Sequence, residues 1–140
     1  MKKSLSGIEK RKYIRLDKPV LVRFRVVNET SKKVTLDWHD GISRNIGIGG
    51  VCLEVYGVGT KINKAFSGRE SLIEIMLPFY VKSKNAKRGK VERINVVGRC
   101  VWNFNKTVEG KKAVISGITF LDVSGKSKDL IIKFIAQHIE

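Results

Sequence analysis

The chain has 140 residues, 42% hydrophobic and 29% charged, a composition that suits one folded domain and excludes a disordered chain. Its 28 Lys and Arg against 13 Asp and Glu give a net charge of +15, which favours anionic partners such as phosphates, nucleic acid or acidic lipid surfaces without choosing among them. Two distant cysteines and two isolated histidines lack the ligand spacing of a zinc site, and no window approaches the roughly 18 apolar residues of a membrane span.

The start, "MKKSLSGIEKRKY", is basic but has no apolar stretch behind it, so no signal peptide is expected and the cytoplasm is the default location. Residues 1–18 read as a flexible basic segment ahead of a domain over 19–140. "VLVRFRV" (20–26) alternates apolar and basic residues, the period of a strand with one basic face. "KKVTLDW" (32–38) is a possible second strand. "ISRNI" and "GVCLEV" follow, parted by Gly47, Gly49 and Gly50, a cluster that marks a turn, a bulge or a close approach. Cys52 and Cys100 sit in apolar strand patterns and read as small hydrophobes.

"ESLIEIMLP" (70–78) alternates again, and Pro78, which cannot donate to a ladder, is expected to end it. The lysine-rich stretch 81–93 reads as a solvated hairpin loop. "INVVGRCVWNF" (94–104) is a long strand, with "KKAVISGITFLDV" (111–123) as its antiparallel partner across "NKTVEG". In "SKDLIIKFIAQHIE", Leu130, Ile131, Phe134, Ile135, His138 and Ile139 recur at helical steps, which predicts a helix over about 126–139 with Ser127 as N-cap. Its stripe is expected to cover the open end of a barrel. The whole predicts a mostly β fold, a small antiparallel six-stranded barrel with a C-terminal helix.

Catalytic motifs are missing. There is no GxSxG elbow or P-loop, Gly57 and Gly59 lack the rest of a dinucleotide fingerprint, and His39 beside Asp40 has no nucleophile context. A non-enzymatic binder without cofactor or metal is expected. Two features have chemistry. Arg11 and Arg15 in "EKRKYIRLDKP" are spaced as RxxxR, and arginine's planar fork matches phosphate oxygens or a guanine edge. In "NIGIGG", Asn45 offers donor and acceptor to a base edge, and Gly50 lets a backbone come close to a ligand. Taken alone, the arginines read as solvated surface and the glycines as a turn rather than as a site.

In combination and in order, these segments resemble the PilZ domain, a family of bacterial cyclic di-GMP receptors. RxxxR ahead of a barrel, then the family's [D/N]xSxxG at a strand junction, match "EKRKYIRLDKPVLVRF" and "NIGIGGVCLEV", and "IEIMLP", "VVGRCVWNF" and "SGITFLDVSGKSKDLIIKFI" resemble the later strands and closing helix. The resemblance implies that Arg11 and Arg15 contact guanine and phosphate, that Asn45 reads a guanine edge and that Gly50 holds the terminal glycine. Lys10 adds charge before the first arginine. Trp102, in the family's "GxVxW" strand, is placed either beside the ligand or in the core. The motif's serine is Gly47 here; loss of one hydrogen bond to a charged ligand costs about 1.5–3 kcal/mol, part of which the Gly47 N–H or a water recovers.

The function so implied is a cyclic di-GMP receptor whose N-terminal segment folds over the barrel face and presents a surface to a protein partner, an order–disorder switch. The alternatives are a PilZ-like docking module that has lost its ligand and a single-stranded nucleic-acid-binding barrel. The second is weakened by an aromatic content of only 8%, of which Phe24, Phe120 and Phe134 sit in buried patterns.

Overall fold

Period-two patterning produces strands wherever one face can be buried, and the chain does this six times around a closed sheet. The computed structural model describes residues 15–57, 60–81, 90–121 and 125–139. Its elements run β1 (Arg15–Leu16), β2 (Val20–Asn28), β3 (Val34–Arg44), β4 (Ile46–Gly47), β5 (Gly50–Tyr56), α1 (Thr60–Ser67), β6 (Ser71–Val81), β7 (Lys90–Val108), β8 (Lys111–Leu121) and α2 (Gly125–Ile139). The barrel order is β2-β3-β5-β8-β7-β6, every pair antiparallel, with β1 and β4 forming a separate two-stranded ribbon.

The inward residues make one core. Val22, Phe24 and Val26 from β2 meet Leu53 and Val55 from β5 and Ile73, Ile75 and Leu77 from β6. Two helices plug the barrel. From α1, Ile62 and Phe66, four residues apart and so on one face, are buried, and the Phe66 ring meets Phe24 edge-on at 5.6 Å. From α2, Ile131, Phe134 and Ile135 are buried, and the helix packs on β1, β4, β6 and β7. Phe24, Phe120 and Phe134 are all core residues, as their patterns imply.

Several boundaries differ from the expected ones. β3 is one strand of 11 residues where two were expected. Gly41, in its middle, lies against Phe24 and Leu53, where a side chain would crowd the core. Pro78 does not end β6, which pairs Pro78 with Arg93 and continues to Val81. Among the described residues pairing with β2 stops at Met76, so beyond it one edge of β6 has no strand partner, the kind of edge position at which a strand tolerates a residue without an N–H. Lys90–Arg93 belong to β7 rather than to the loop, leaving 82–89 outside the described residues. α1 is a helix that the pattern does not announce. α2 starts at Gly125, so Ser127 stands in its first turn rather than ahead of it. Of the basic segment, Arg15 and Leu16 form β1, and residues 1–14 lie outside the described residues.

The glycine cluster has a structural reason at Gly50. A Cβ there would meet the Ile118 carbonyl oxygen at 2.2 Å, and one on Gly98, from the other side of β8, would meet the Thr119 carbonyl oxygen at 2.6 Å. Both neighbours of β8 approach it closely at this point, and backbone cannot give way as a flexible side chain can. Gly50→Ala is therefore expected to destabilise the fold by more than about 2 kcal/mol, read by chemical denaturation, whereas Gly49→Ala, with open space around it, is expected to cost well under that.

Candidate functional site

Arg15 reaches the barrel through its neighbour. Leu16 pairs with Ile46, and both side chains are buried, so alternation turns Arg15, which pairs with Gly47, outward. Burying a leucine is worth about 1.5–3 kcal/mol, enough to hold so short a strand in place. Among the described residues Arg15 faces no carboxylate, while Arg23, Arg25, Arg44 and Arg99 each have one. Asn45 joins β3 to β4 with φ at 53°, the left-handed region that asparagine tolerates better than most side chains. Its side chain is exposed.

The second half of the site comes from β7. Cys100 pairs with Ile118 but Trp102 pairs with Gly117, so Val101 is an extra residue, a β-bulge. Before the bulge Ile94, Val96 and Gly98 face inward. After it, facing reverses: Trp102 and Phe104 turn out, about half exposed. Their rings stack at 5.8 Å with 18° between planes. The indole rests against Gly117, where a Cβ would sit 2.3 Å from it. The core placement of Trp102 is thus corrected: unbroken period two would have put it inside, and the bulge prevents this.

Arg15, Asn45, Gly47, Gly50 and Trp102 come together as walls of one open cleft of about 450 Å³, completed by Gly49, Val51, Cys52, Val101, Gly117, Ile118 and Thr119. Lys10 and Arg11 lie outside the described residues. Gly117 has no signal in the sequence and Cys52 reads there only as a small hydrophobe; both reach the cleft by cross-strand register, Cys52 opposite Gly117 and Gly117 opposite Trp102. Burial pushes the Cys52 thiol above its ordinary pKa, so it stays neutral near pH 7. His39 and Asp40 do not form an acid–base pair: Asp40 faces Arg23 at 3.7 Å, and the His39 ring meets Phe24 edge-on. Among the described residues no group of three or more His, Cys, Asp or Glu could hold a metal, and no helix is long and apolar enough to cross a membrane.

Beside the cleft, Glu54 is 6% exposed on the outer face of β5. Arg44 donates to one of its oxygens and the Tyr56 hydroxyl donates to the other at 2.6 Å. Burial alone would raise the Glu54 pKa, but the bonds from Tyr56 and Arg44 outweigh it and hold the carboxyl below its ordinary value. The pair thus commits Arg44, next to Asn45, to the protein rather than to the cleft.

No protein-family model matches the chain, and no curated protein matches it in sequence. Solved structures do match in fold. The PilZ domain with c-di-GMP of YcgR from Escherichia coli aligns at TM-score 0.52 and 12% identity, over 93% of this chain and 92% of that one. The Borreliella burgdorferi PlzA protein in complex with c-di-GMP aligns at 0.53 and 13%, over 97% of this chain and 54% of that one. The K. pneumonia MrkH–c-di-GMP complex aligns at 0.54 and 14%, over 92% and 52%. The chain therefore spans about half the length of the latter two. The fold is that of a PilZ domain.

Because the Glu54 pKa is depressed by folding, its contribution is fully present above the ordinary glutamate value of about 4.3 and is lost as pH falls through the lower folded value. Glu54→Gln is expected to lose about 1–3 kcal/mol at pH 7. In denaturant titrations run from pH 7 downward, the gap between the two proteins should close on acidification below the ordinary value. A gap independent of pH would show that the carboxylate's charge contributes nothing.

Proposed function

We propose that this protein is a non-enzymatic receptor for cyclic di-GMP. The observation that carries the reading is the convergence of Arg15, the stretch with Asn45, Gly47 and Gly50, and Trp102, three separate parts of the sequence, on one cleft of a PilZ-fold barrel. That similar barrels were solved with c-di-GMP supports the choice of ligand.

The chemistry follows from the groups present. Arg15, exposed and facing no carboxylate among the described residues, is available to a phosphate or a guanine edge. Arg11, four residues upstream, would close the clamp from the other side, with Lys10 adding attraction. The Asn45 amide would read a guanine edge, and the half-exposed Trp102 indole offers a flat face for stacking. Gly47 brings no hydroxyl, so the two arginines bear more of the affinity. Contact through Arg11 would draw the residues ahead of Arg15 over the cleft, which supports a switch that presents a new surface to a protein partner. Such a receptor would work in the cytoplasm, where the second messenger is made. The stacked, exposed Trp102–Phe104 pair on a basic barrel favours, as a second reading, single-stranded nucleic acid.

Calorimetry with cyclic di-GMP is expected to give micromolar or tighter binding, weakened at least about tenfold by Arg15→Ala, the loss of one charge-assisted contact. No response at millimolar ligand would sink the reading and favour a docking module. Steeply salt-dependent, length-dependent binding of oligonucleotides would favour the nucleic-acid reading. Gly117→Ala should push the indole off its seat and lower cyclic di-GMP affinity with little change in thermal stability, because an exposed side chain rather than backbone is displaced. Unchanged affinity would remove Trp102 from the site.

A further inference from the structure

The bulge at Val101 needs an explanation of its own. A regular β7 would bury Trp102 and Phe104, and the bulged strand instead leaves Val101 61%, Trp102 47% and Phe104 50% exposed. Hydrophobic burial thus favours the register that the protein does not use. Something polar must oppose it, and a polar cluster lies at this point.

The Cys100 thiol donates across the bulge to the Trp102 carbonyl at 3.2 Å. The Asn103 amide nitrogen reaches back to the Cys100 sulfur at 3.7 Å and toward the Ser67 hydroxyl at 3.4 Å. Asn63, on α1, donates to the Asn103 amide oxygen at 2.8 Å. Asn103 pairs with Ser116, which is fully buried, so the asparagine occupies the inward row that regular alternation would give to Trp102. Asparagine is a poor strand residue, and here its side chain is bonded back across the bulge to Cys100 and outward to a helix.

We infer that Asn103, tied to Asn63 on α1 and to Cys100, is a clip that selects the bulged register and thereby positions Trp102 at the cleft. Asn103 and Asn63 are positioning residues: they do not touch the cleft and act through the indole. The consequence for ligand binding rests on the receptor reading above; the consequence for the indole does not.

Two variants test it. Asn63→Ala removes the 2.8 Å bond from the helix and leaves only the 3.4 Å contact to Ser67, and alanine at a helical position favours the helix, so the fold should survive. Asn103→Val removes the clip within the strand. The first measurement is acrylamide quenching of Trp102 in a Trp38→Phe background, with the Trp102 indole N–H resonance alongside. Both should change in both variants; an unchanged indole overturns the inference whether or not any ligand binds. The second is a double-mutant cycle on cyclic di-GMP affinity. Asn63→Ala should weaken binding about threefold to tenfold when Trp102 is present, as for one net hydrogen bond, and not at all in Trp102→Ala. Equal losses in both backgrounds would mean a general structural role and overturn the inference. A wild-type chain that binds no cyclic di-GMP would defeat the receptor reading alone, and the quenching result would still decide this one.

Discussion

Side chains alternate along a strand, so one inserted residue reverses the facing of everything after it. In β7 that residue is Val101. Before it the strand contributes to the core; after it the same strand turns Trp102 and Phe104 outward and sets Trp102 in the cleft wall. The cleft exists in its present form because of that reversal. Gly117, opposite Trp102, accepts the indole on bare backbone, and Cys52 continues the same outer row on β5. Closure of the barrel sets how tightly these strands lie together: β8 is approached from both sides through Gly50 and Gly98, which have no side chain to obstruct it.

The other wall is built differently. β1 and β4 have only two residues each, too few for a ladder to stabilise by itself. What holds them is burial of Leu16 and Ile46 beneath the ribbon, against which α2 packs. Arg15 and Asn45 are therefore mounted on a hydrophobic anchor rather than on a loop. The positive charge of the chain is partly internal business: Arg25 pairs with Glu74 and lies over the Trp38 ring, Arg99 pairs with Glu29, and Arg44 is committed to Glu54. Arg15 differs in having no such carboxylate among the described residues, which makes position, not total charge, the informative quantity.

Much of the fold was legible because burial writes period two or period 3.6 into a sequence. β2, β5, β8 and the stripe of α2 follow that rule. α1 did not show because two buried residues, Ile62 and Phe66, make too short a stripe to stand out. Pro78 misled because proline's cost depends on whether its edge has a partner, and edges are settled only when the strands are arranged. The site was half legible. Arg15, Asn45, Gly47 and Gly50 were chosen by motif, and they do lie together. Asn45 and Gly50 also have backbone duties, a left-handed φ and a strand contact, that a motif does not distinguish from ligand contact.

By itself, then, the sequence determined the class: composition, alternation and one terminal amphipathic stripe specify a basic antiparallel barrel closed by a helix, because those are properties of residues and their near neighbours. Which glycine approaches a strand, which edge tolerates Pro78, and above all which way Trp102 points were decided only in the tertiary structure. Register belongs to pairs of strands, and a bulge of one residue leaves the local pattern almost unchanged while moving every later side chain to the opposite face.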